Sequence, residues 1–202
     1  SADKLAAIGA MAASIAHEIR NPLNGIEGFS SLLLRDFDDS DPRKKFVNNI
    51  IHGTKNLNKT ITELLVFARP LKINVKNSRI SEILDKTLLV VAENIKQKNV
   101  KNVNIKKEYS CDVDGLTCDP EKLQQAFLNI FLNAIQSMPY GGDLMVFTRL
   151  YRDEDFEGIQ VEIRDTGIGI KKEIMHKIFD PFFTTKQEGT GLGLFIVKEL
   201  IN

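Results

Sequence analysis

The spacing of apolar residues in the first third of the chain is the feature that most constrains its fold. From residue 5 to residue 34 an apolar residue recurs every three or four positions, and the same spacing returns between residues 46 and 67. This a/d pattern is typical of helices in a coiled coil or helical bundle. The first run consists of Leu5, Ile8, Ala12, Ile15, Ile19, Pro22, Ile26, Phe29 and Leu33, and the second of Phe46, Ile50, Gly53, Leu57, Thr60, Leu64 and Phe67.

An acidic, polar segment separates the two runs and predicts a short turn. It spans residues 35–42 and ends in Asp41 and Pro42, which suit the N-cap and the first position of the second helix. Two long helices joined by a short turn form a hairpin. Because two helices alone bury little apolar surface, we expect a homodimer that completes a four-helix bundle. A second pair of helices in the same chain could do the same, but the sequence shows no further pair of this kind.

One histidine of the first helix is not explained by the helical pattern. With Ile15 and Ile19 on the apolar seam, His17 falls at the outward f position, where most histidines are ordinary surface residues. Pro22 changes this interpretation because a proline clashes with the carbonyl four residues earlier, here that of Glu18. We therefore expect the helix to bend or loosen at the turn that carries His17, which favours a functional site there.

Beyond Pro70 the pattern changes to a mixture of helices and strands. We expect an antiparallel or mixed sheet with helices on one face, that is, an α+β sandwich, with Ser78 and Ser81 as candidate caps of its first helix. The domain boundary falls near residues 69–76, which assigns residues 1–69 to the hairpin and residues 70–202 to the second domain. The periodicities predict helices over residues 80–98, 120–135 and 195–201, and strands over residues 103–109, 144–151 and 158–164.

Composition and charge argue against several function classes. The 202 residues are 43% apolar, which allows a buried core, and 27 basic residues balance 27 acidic ones. Zero net charge does not suggest a nucleic-acid binder. No apolar run reaches membrane-spanning length, so we expect no membrane contact by these residues, although they could be the cytosolic part of a membrane sensor. Cys111 and Cys118 lack metal-ligand spacing, which favours a reduced, cytoplasmic chain.

Four short motifs in the second half carry little information one by one. Glycine-rich turns, solvated asparagines and core phenylalanines are the ordinary explanations, and the glycines form neither a P-loop nor a Rossmann fingerprint. The motifs are Asp165-Thr166-Gly167-Ile168-Gly169 after a strand, Phe179-Asp180-Pro181-Phe182-Phe183 after a short helix, Gly189-Thr190-Gly191-Leu192-Gly193-Leu194 before a helix, and Asn129 with Asn133 on one helix face.

In combination, the motifs favour a nucleotide site. Glycines before a helix expose backbone N–H groups and a helix N-terminus favours an anion, so residues 189–193 suit a triphosphate. Amide oxygens are acceptable Mg²⁺ ligands, which suits Asn133, with Asn129 as a second candidate. Asp165 could accept a hydrogen bond from an exocyclic amine such as that of adenine.

Two further segments fit the same site. Gly167 and Gly169 would let a base lie against the backbone. Residues 184–188 are small and polar, as expected of a mobile lid, and Lys186 within them can reach a phosphate.

The order of these motifs resembles the two-component sensor histidine kinases. The segments "SIAHEIRNPL", "NIFLNA", "DTGIGI", "IFDPFFTTK" and "GTGLGL" are similar to the family's H, N, G1, F and G2 boxes, over about residues 5–202. The short gap between the last two is similar to the short-lid subgroup that includes nitrogen-regulation sensors. The resemblance implies a dimerisation and histidine-phosphotransfer hairpin, followed by an ATP-binding domain of the fold shared with DNA gyrase and mismatch-repair ATPases.

The resemblance also implies roles for individual residues. His17 would accept the γ-phosphoryl group of ATP, Glu18 would hydrogen-bond one ring nitrogen so that the other attacks, and Asn21 would align water in dephosphorylation. Asn133 would bind Mg²⁺ and Asp165 the adenine. The implied partners are a second copy of the chain and a response-regulator receiver domain. Further contacts to ATP would come from Asn129, Gly167, Gly169, Lys186, Gly189, Thr190, Gly191, Leu192 and Gly193.

One residue favours a kinase over the related ATPases. Those ATPases carry a water-activating glutamate four residues before the metal asparagine, where this chain has Asn129, so the phosphoryl group should be kept for His17.

Gln136 and Ser137 depart from the family because many relatives carry a basic residue there. The sequence also ends at Asn202, before strands that the family usually has, so we expect an incomplete sheet.

Three alternatives remain open from the sequence. A phosphatase-dominant sensor would depend on Asn21 more than on autophosphorylation. A non-catalytic dimer scaffold is disfavoured by the intact His17, Asn133 and Asp165, and an ATP-driven clamp of the gyrase type is disfavoured by Asn129 and by the histidine-bearing hairpin.

Overall fold

The computed structural model describes the backbone of residues 2–68, 73–97, 102–110, 114–153, 157–186 and 189–201, and the side chains of these residues outside 2–15, 59 and 63–68. Cys111 lies outside the described residues. The chain divides into two compact units, Ser1–Lys72 and Ile73–Asn202. In the described part of the chain, no helix is both long and apolar enough to cross a membrane.

The first unit is the helical hairpin that the apolar spacing predicts. Helix α1 spans Ala2–Arg35 and helix α2 spans Arg43–Ala68. The Asp41 carboxylate accepts a hydrogen bond from the Arg43 backbone N–H at 2.8 Å, and the neighbouring Arg43 guanidinium lowers the pKa of that carboxyl. The backbone N–H groups in the first turn of a helix have no carbonyl partner within it. Asp41 pairs one of them in α2, as expected from its position before Pro42.

The two helices contact each other through a narrow stripe that lies beside the predicted a/d seam. On each helix the buried residues recur at intervals of seven, which is one position after each d residue. The large side chains of the seam itself stay exposed in the single chain, with Phe29 at 75% and Phe46 at 67% of their full exposure. The buried stripe consists of Ala16, Leu23 and Ser30 on α1 and Val47, Thr54 and Ile61 on α2.

The second unit is an α+β sandwich, which confirms the predicted fold class. A 3-10 helix, Lys172–Lys177, precedes the last helix. The elements in chain order are β1 (Lys76–Arg79), α3 (Ile80–Gln97), β2 (Val103–Tyr109), β3 (Gly115–Cys118), α4 (Pro120–Ser137), β4 (Gly142–Arg152), β5 (Glu157–Asp165) and α5 (Gly193–Ile201).

The strands form two sheets, of which the sequence predicted one. Strands β2, β4 and β5 form a mixed sheet in which β4 is central, parallel to β2 and antiparallel to β5. The register places Asp165, the last residue of β5, opposite Leu144. Strands β1 and β3 pair in a separate antiparallel ribbon. These strands are four residues long, too short to show a periodic signal in the sequence.

One face of the three-stranded sheet packs on α3 and α4. Leu144 and Val146 of β4 and Phe131 of α4 are fully buried, and the ring of Phe131 stacks on Phe127 with 6.3 Å between ring centroids. On the opposite face, the exposed Arg149 and Arg164 flank the half-buried ring of Phe147. The buried cluster consists of Ile80, Ile83, Leu84, Leu88, Val91, Phe127, Phe131, Ala134, Ile135, Met138, Leu144 and Val146.

Helix α4 begins at Pro120, as the periodicity predicts. The Asp119 carboxylate accepts hydrogen bonds from the backbone N–H groups of Glu121 and Lys122, both at 3.1 Å, and from that of Asn74 at 2.7 Å. The bond from Asn74, followed by those from α4, lowers the pKa of this carboxyl. Asp119 thus caps α4 and ties it to the segment that enters the second unit.

The cap of α3 differs from the predicted Ser78 and Ser81. Asp114 accepts the backbone N–H of Ser81 at 2.8 Å through its side chain and that of Ile80 at 2.8 Å through its carbonyl. Burial tends to raise the pKa of the Asp114 carboxyl, but the bonds from Ser81 and Arg79 outweigh burial and lower it. The prediction was wrong because the capping residue lies more than thirty positions away, beyond the reach of a local pattern.

Candidate functional site

His17 lies on the exposed side of α1, immediately after the buried Ala16. Its ring Nδ1 is 3.5 Å from the amide Nδ2 of Asn21, one helical turn later. Glu18 is exposed, and neighbouring residues of a helix do not face each other, so the described ring contact comes from Asn21 and not from Glu18. The structure therefore joins two of the three residues expected at this site.

The helix around His17 is continuous but has a missing hydrogen bond. Helix α1 runs through Pro22, whose ring nitrogen cannot donate to the carbonyl of Glu18.

Three polar pairs hold this part of α1 against α2, in the antiparallel order of the hairpin. These pairs are Arg20 with Thr62 at 3.3 Å, Asn24 with Asn58 at 3.3 Å, and Glu27 with Lys55 at 3.9 Å.

In the second unit, Asp165 meets the end of α4. Its Oδ1 accepts a hydrogen bond from the Ser137 hydroxyl at 2.8 Å and from the Gly167 backbone N–H at 2.9 Å. A Cβ at Gly167 would lie 1.9 Å from the Ser137 Oγ. Gly167 is therefore required for its close approach to α4, whereas the sequence explained it by contact with a base. Gly169, with φ at +69°, needs glycine for its backbone conformation.

Asn133 is held by the residue expected to contact phosphate. The Lys186 ammonium donates to the Asn133 Oδ1 at 2.7 Å and to the Gln136 Oε1 at 2.5 Å, two amide oxygens on one face of α4. Lys186 thus reaches the site as expected, but it contacts the oxygen expected to bind a metal. Asn129 lies one turn earlier on α4 and is partly exposed.

The glycine loop packs against the phenylalanine segment. Gly191 has φ at +71°, and a Cβ there would lie 2.4 Å from the carbonyl carbon of Phe182, which itself has φ at +66°. A Cβ at Gly189 would lie 2.5 Å from the Thr184 Oγ1. These contacts leave no room for side chains, which explains two of the glycines by packing.

The loop then leads directly into α5. The side chain of Leu192 is fully buried, so this residue could contact a ligand only through its backbone, and its N–H is 3.4 Å from the Thr190 Oγ1. Gly193 begins α5, and a Cβ there would lie 3.9 Å from the Asn133 Nδ2. The N-terminus of α5 and the amide of Asn133 are therefore neighbours.

Two residues of this site were not assigned a role from the sequence. Gln136 and Ser137 were read as departures from a basic position, yet they contact Lys186 and Asp165 respectively. Their spacing from Asn133, three and four residues, was the available signal because it places all three on one face of α4. Their partners lie far along the chain and gave no local signal.

The donor set of the site fits a metal only with help from a ligand. Among the described residues, no three His, Cys, Asp or Glu side chains gather where they could hold a metal ion. The Asn133 Oδ1 nevertheless holds a cation, the Lys186 ammonium, beside the start of α5. An amide oxygen in this place fits Mg²⁺ that brings its own waters and phosphate oxygens.

Two family models match the chain in the order of its units. The His Kinase A (phospho-acceptor) domain matches residues 7–71, and the Histidine kinase-, DNA gyrase B-, and HSP90-like ATPase matches residues 118–202. Together they cover most of the described chain, one model in each compact unit.

Individual relatives and a solved structure agree with these models. Sporulation kinase E of Bacillus subtilis (strain 168) is 33% identical over 98% of this chain, which spans 26% of that protein. Signal transduction histidine-protein kinase AtoS of Escherichia coli (strain K12) is 35% identical over the whole chain, which spans 32% of it. The histidine kinase ThkA, solved in complex with the response regulator protein TrrA, matches with a TM-score of 0.61 at 26% identity, over 91% of this chain and 53% of that one.

The chain spans about a quarter to a third of the length of these two curated relatives. Within that span it carries the phospho-acceptor hairpin and the ATPase-type domain in consecutive units. The chain therefore belongs to the two-component histidine kinases and constitutes their catalytic core.

Proposed function

We propose that residues 70–202 bind ATP and donate its γ-phosphoryl group to His17 in the dimerisation and phosphotransfer domain, residues 1–69. The observation that carries this proposal is that the Asn133 Oδ1, beside the N-terminus of α5, accepts a hydrogen bond from the Lys186 ammonium. This oxygen is therefore placed to bind a cation. A cation site next to a helix N-terminus is suited to a triphosphate with its metal.

The base of ATP would bind at Asp165. Both described hydrogen bonds to this carboxylate fall on Oδ1, so Oδ2 can accept the exocyclic amine of adenine. The triphosphate would follow along residues 189–193, which lead into the N-terminus of α5.

Asn133 would hold Mg²⁺ through Oδ1. When bound, the metal ion neutralises the charge of the phosphate oxygens. Lys186 would then be displaced from Asn133 because its ammonium and the metal ion would repel each other at one amide oxygen, and the ammonium would become available to the phosphates. Gln136, whose oxygen also accepts from Lys186, can keep the lysine close to the site during this exchange.

His17 would act as the nucleophile. An amide can present its oxygen as well as its nitrogen, so Asn21 can accept a hydrogen bond from Nδ1–H and thereby leave the lone pair on Nε2. Attack forms the Nε2–P bond while the bond from the γ-phosphorus to the β–γ bridging oxygen breaks, and ADP leaves. The ring then loses its Nδ1 proton to solvent, to which His17 is exposed.

The partner of the phosphorylated histidine would be a receiver domain of a response regulator. The ThkA–TrrA complex is an example of such a pair in a similar protein. In this second step, a carboxylate oxygen of a receiver aspartate forms a bond to phosphorus, the N–P bond breaks, and the imidazole regains a proton. His17 suits both steps because it lies on the exposed side of α1.

The chain would act as a homodimer in the cytoplasm, where ATP and receiver domains occur. The a/d residues Ile19, Ile26 and Phe29 are exposed in the single chain at 43%, 46% and 75%, which leaves the apolar seam of α1 available to a second copy. A four-helix bundle would bury this seam.

A test of the kinase uses labelled nucleotide and two histidine variants. The chain is incubated with γ-labelled ATP and Mg²⁺, and we expect label that survives base but not acid. The expected result is no label on His17→Ala and full label on His52→Ala. His52 is a matched control because it lies exposed on α2 with Asn56 Nδ2 at 3.2 Å from its Nδ1, the same local arrangement. Label on His17→Ala, or no label on a native chain that binds ATP, contradicts the proposal.

The contact between Asn21 and His17 favours a second activity at the same place, dephosphorylation of the receiver. Asn21→Ala should slow the loss of phosphate from a phosphorylated cognate receiver at least about tenfold while His17 remains phosphorylatable. Asn56→Ala, which changes the matching pair on α2, should have no effect. Equal rates for Asn21→Ala and the native chain would exclude this role of Asn21.

A further inference from the structure

Two hydrogen bonds join the end of α4 to the end of β5 and the loop that follows it, and a third bond within that segment shares an acceptor with one of them. The Ser137 hydroxyl contacts the Asp165 Oδ1 at 2.8 Å, the Gly167 N–H contacts the same oxygen at 2.9 Å, and the Ile168 N–H donates to the Ser137 carbonyl at 3.1 Å. Ser137 therefore contacts the loop through both its side chain and its backbone. Nothing in the expected nucleotide chemistry requires a hydroxyl at this position.

The two bonds to Asp165 fall on the same oxygen. A carboxylate oxygen has two lone pairs, so Ser137 and Gly167 saturate Oδ1 and fix the plane of the carboxylate. Among the described residues, Oδ2 receives no hydrogen bond, so it is the oxygen that remains to accept one from a ligand. Without the hydroxyl, the carboxylate would keep one bond to Gly167 and could rotate about it.

The hydroxyl has a second acceptor but a single proton. Its Oγ is also 2.7 Å from the carbonyl oxygen of Ala134 in the last turn of α4. A hydroxyl donates to one acceptor at a time, and a bond to an ionised carboxylate is roughly twice as strong as a neutral one. The proton of Ser137 therefore points to Asp165, which defines the direction of the interaction.

The backbone around this contact cannot easily yield. A Cβ at Gly167 would lie 1.9 Å from the Ser137 Oγ, 2.6 Å from its Cβ and 2.7 Å from its carbonyl oxygen. The loop is thus in direct contact with α4 on a surface without spare room. A carboxylate anchored to such a surface has a defined orientation before a ligand arrives.

We propose that Ser137 is a positioning residue for base selection, which orients Asp165 so that Oδ2 faces the exocyclic amine of adenine. This inference rests on the proposed recognition of the base by Asp165. Ser137 acts through Asp165 and contacts no part of the nucleotide. Its effect is therefore confined to ligands that carry the amine.

The test measures binding of two nucleotides without turnover. The ligands are ATP and purine riboside triphosphate, which lacks the amine, and their affinities are measured by calorimetry for the chain and its variants. For Ser137→Ala we expect about a tenfold loss of ATP affinity and less than about a twofold change for the analogue, because one charge-assisted bond to the amine is misdirected. A merely structural role of Ser137 would weaken both ligands equally.

Two further variants complete the design. Asp165→Asn should lower the preference for ATP over the analogue, and adding Ser137→Ala to it should lower that preference no further. Ser81→Ala is the matched control because it removes a serine–aspartate bond of the same 2.8 Å length, to Asp114, at the start of α3. Its preference for ATP should equal that of the native chain, and circular dichroism verifies that all variants are folded.

The outcomes distinguish a failure of base recognition by Asp165 from a failure of the role of Ser137. If the native chain binds both nucleotides equally, or if Asp165→Asn keeps the native preference, the proposed recognition by Asp165 fails. If both behave as expected but Ser137→Ala retains the native preference, the role of Ser137 is overturned while the nucleotide site stands.

Discussion

The two units bury their apolar residues in opposite ways. In the α+β unit the largest core side chains, such as Phe131 and Leu144, are fully buried within one chain. In the hairpin the interior between α1 and α2 mixes Ala16, Ser30 and Thr54 with Leu23, Val47 and Ile61, while the large Phe29 is exposed. The large apolar side chains are thus buried within one chain in the α+β unit and left exposed on the hairpin.

This difference follows from the position of the buried stripe in the helical repeat. The residues that pack within the hairpin come one position after the d residues, so the a and d residues point elsewhere. A helix in a four-helix bundle needs both contacts, one to its neighbour in the hairpin and one to the other chain. We therefore expect the α+β unit to be stable by itself and the hairpin to depend on concentration.

The largest effect is expected from removing a ring in the core of the α+β unit. Phe131→Ala should cost about 3–5 kcal/mol of unfolding free energy because it leaves a cavity under the sheet. Denaturant unfolding followed by circular dichroism measures this loss, which should be the same at low and high protein concentration. Leu89→Ala on the neighbouring α3, where the side chain is 68% exposed, is the control and should cost little. A concentration-dependent loss for Phe131→Ala would contradict a core that is buried within a single chain.

The second effect is expected at the exposed seam of the hairpin. Ile26→Glu should weaken dimerisation roughly a hundredfold because it places an unpaired charge in the interface between two chains. Analytical ultracentrifugation measures the association, and nucleotide binding by the α+β unit should be unchanged. Asn48→Glu introduces the same charge at an exposed position outside the seam and should leave the dimer intact. An unaffected dimer in Ile26→Glu would show that the seam is not the interface.

An intermediate effect is expected at the cap of α4. Asp119→Ala should cost about 1–2 kcal/mol because three backbone N–H groups lose their acceptor. Asp36→Ala, at an exposed carboxylate near the end of the hairpin, is the control and should leave the unfolding of the α+β unit unchanged.

The cost of Asp119→Ala should also depend on pH. The pKa of Asp119 is lower in the folded state, so its contribution is fully present above the unfolded pKa of about 3.9 and is lost as the pH falls through the folded pKa. Unfolding curves between pH 7 and pH 2 should therefore show the native chain and Asp119→Ala converging below about pH 4. A constant difference over that range would contradict the charged cap.

The smallest effect is expected inside the hairpin. Thr54 is buried, but its hydroxyl is satisfied within α2 by the carbonyls of Ile50 and Ile51. Thr54→Val removes donor and acceptor demand together, so it should change the stability by less than about 1 kcal/mol and leave nucleotide binding as it is. Thermal unfolding of the dimer measures this change. A large loss of stability would show that the Thr54 hydroxyl contributes more to the buried stripe than its hydrogen bonds within α2 suggest.

The sequence predicted elements whose signals are local and missed contacts that are not. The hairpin, the three strands of the mixed sheet and the start of α4 followed from periodicity. The Asp114 cap of α3, the β1–β3 ribbon and the contact from Lys186 to Asn133 join positions that lie about thirty to more than fifty residues apart, and nothing in the local pattern marks them. Gly167 was explained from the sequence by contact with a base, whereas in the structure its close approach to Ser137, on another element, requires glycine.

The two ends of α4 contact two different aspartates, Asp119 at its first turn and Asp165 at its last. Asp119 sits at the positive end of the helix dipole and is stabilised there, whereas Asp165 contacts Ser137 at the negative end. One helix thereby connects the segment that enters the unit, held at its first turn, with the loop after β5, held at its last turn. A shift of α4 along its axis is therefore opposed at both ends.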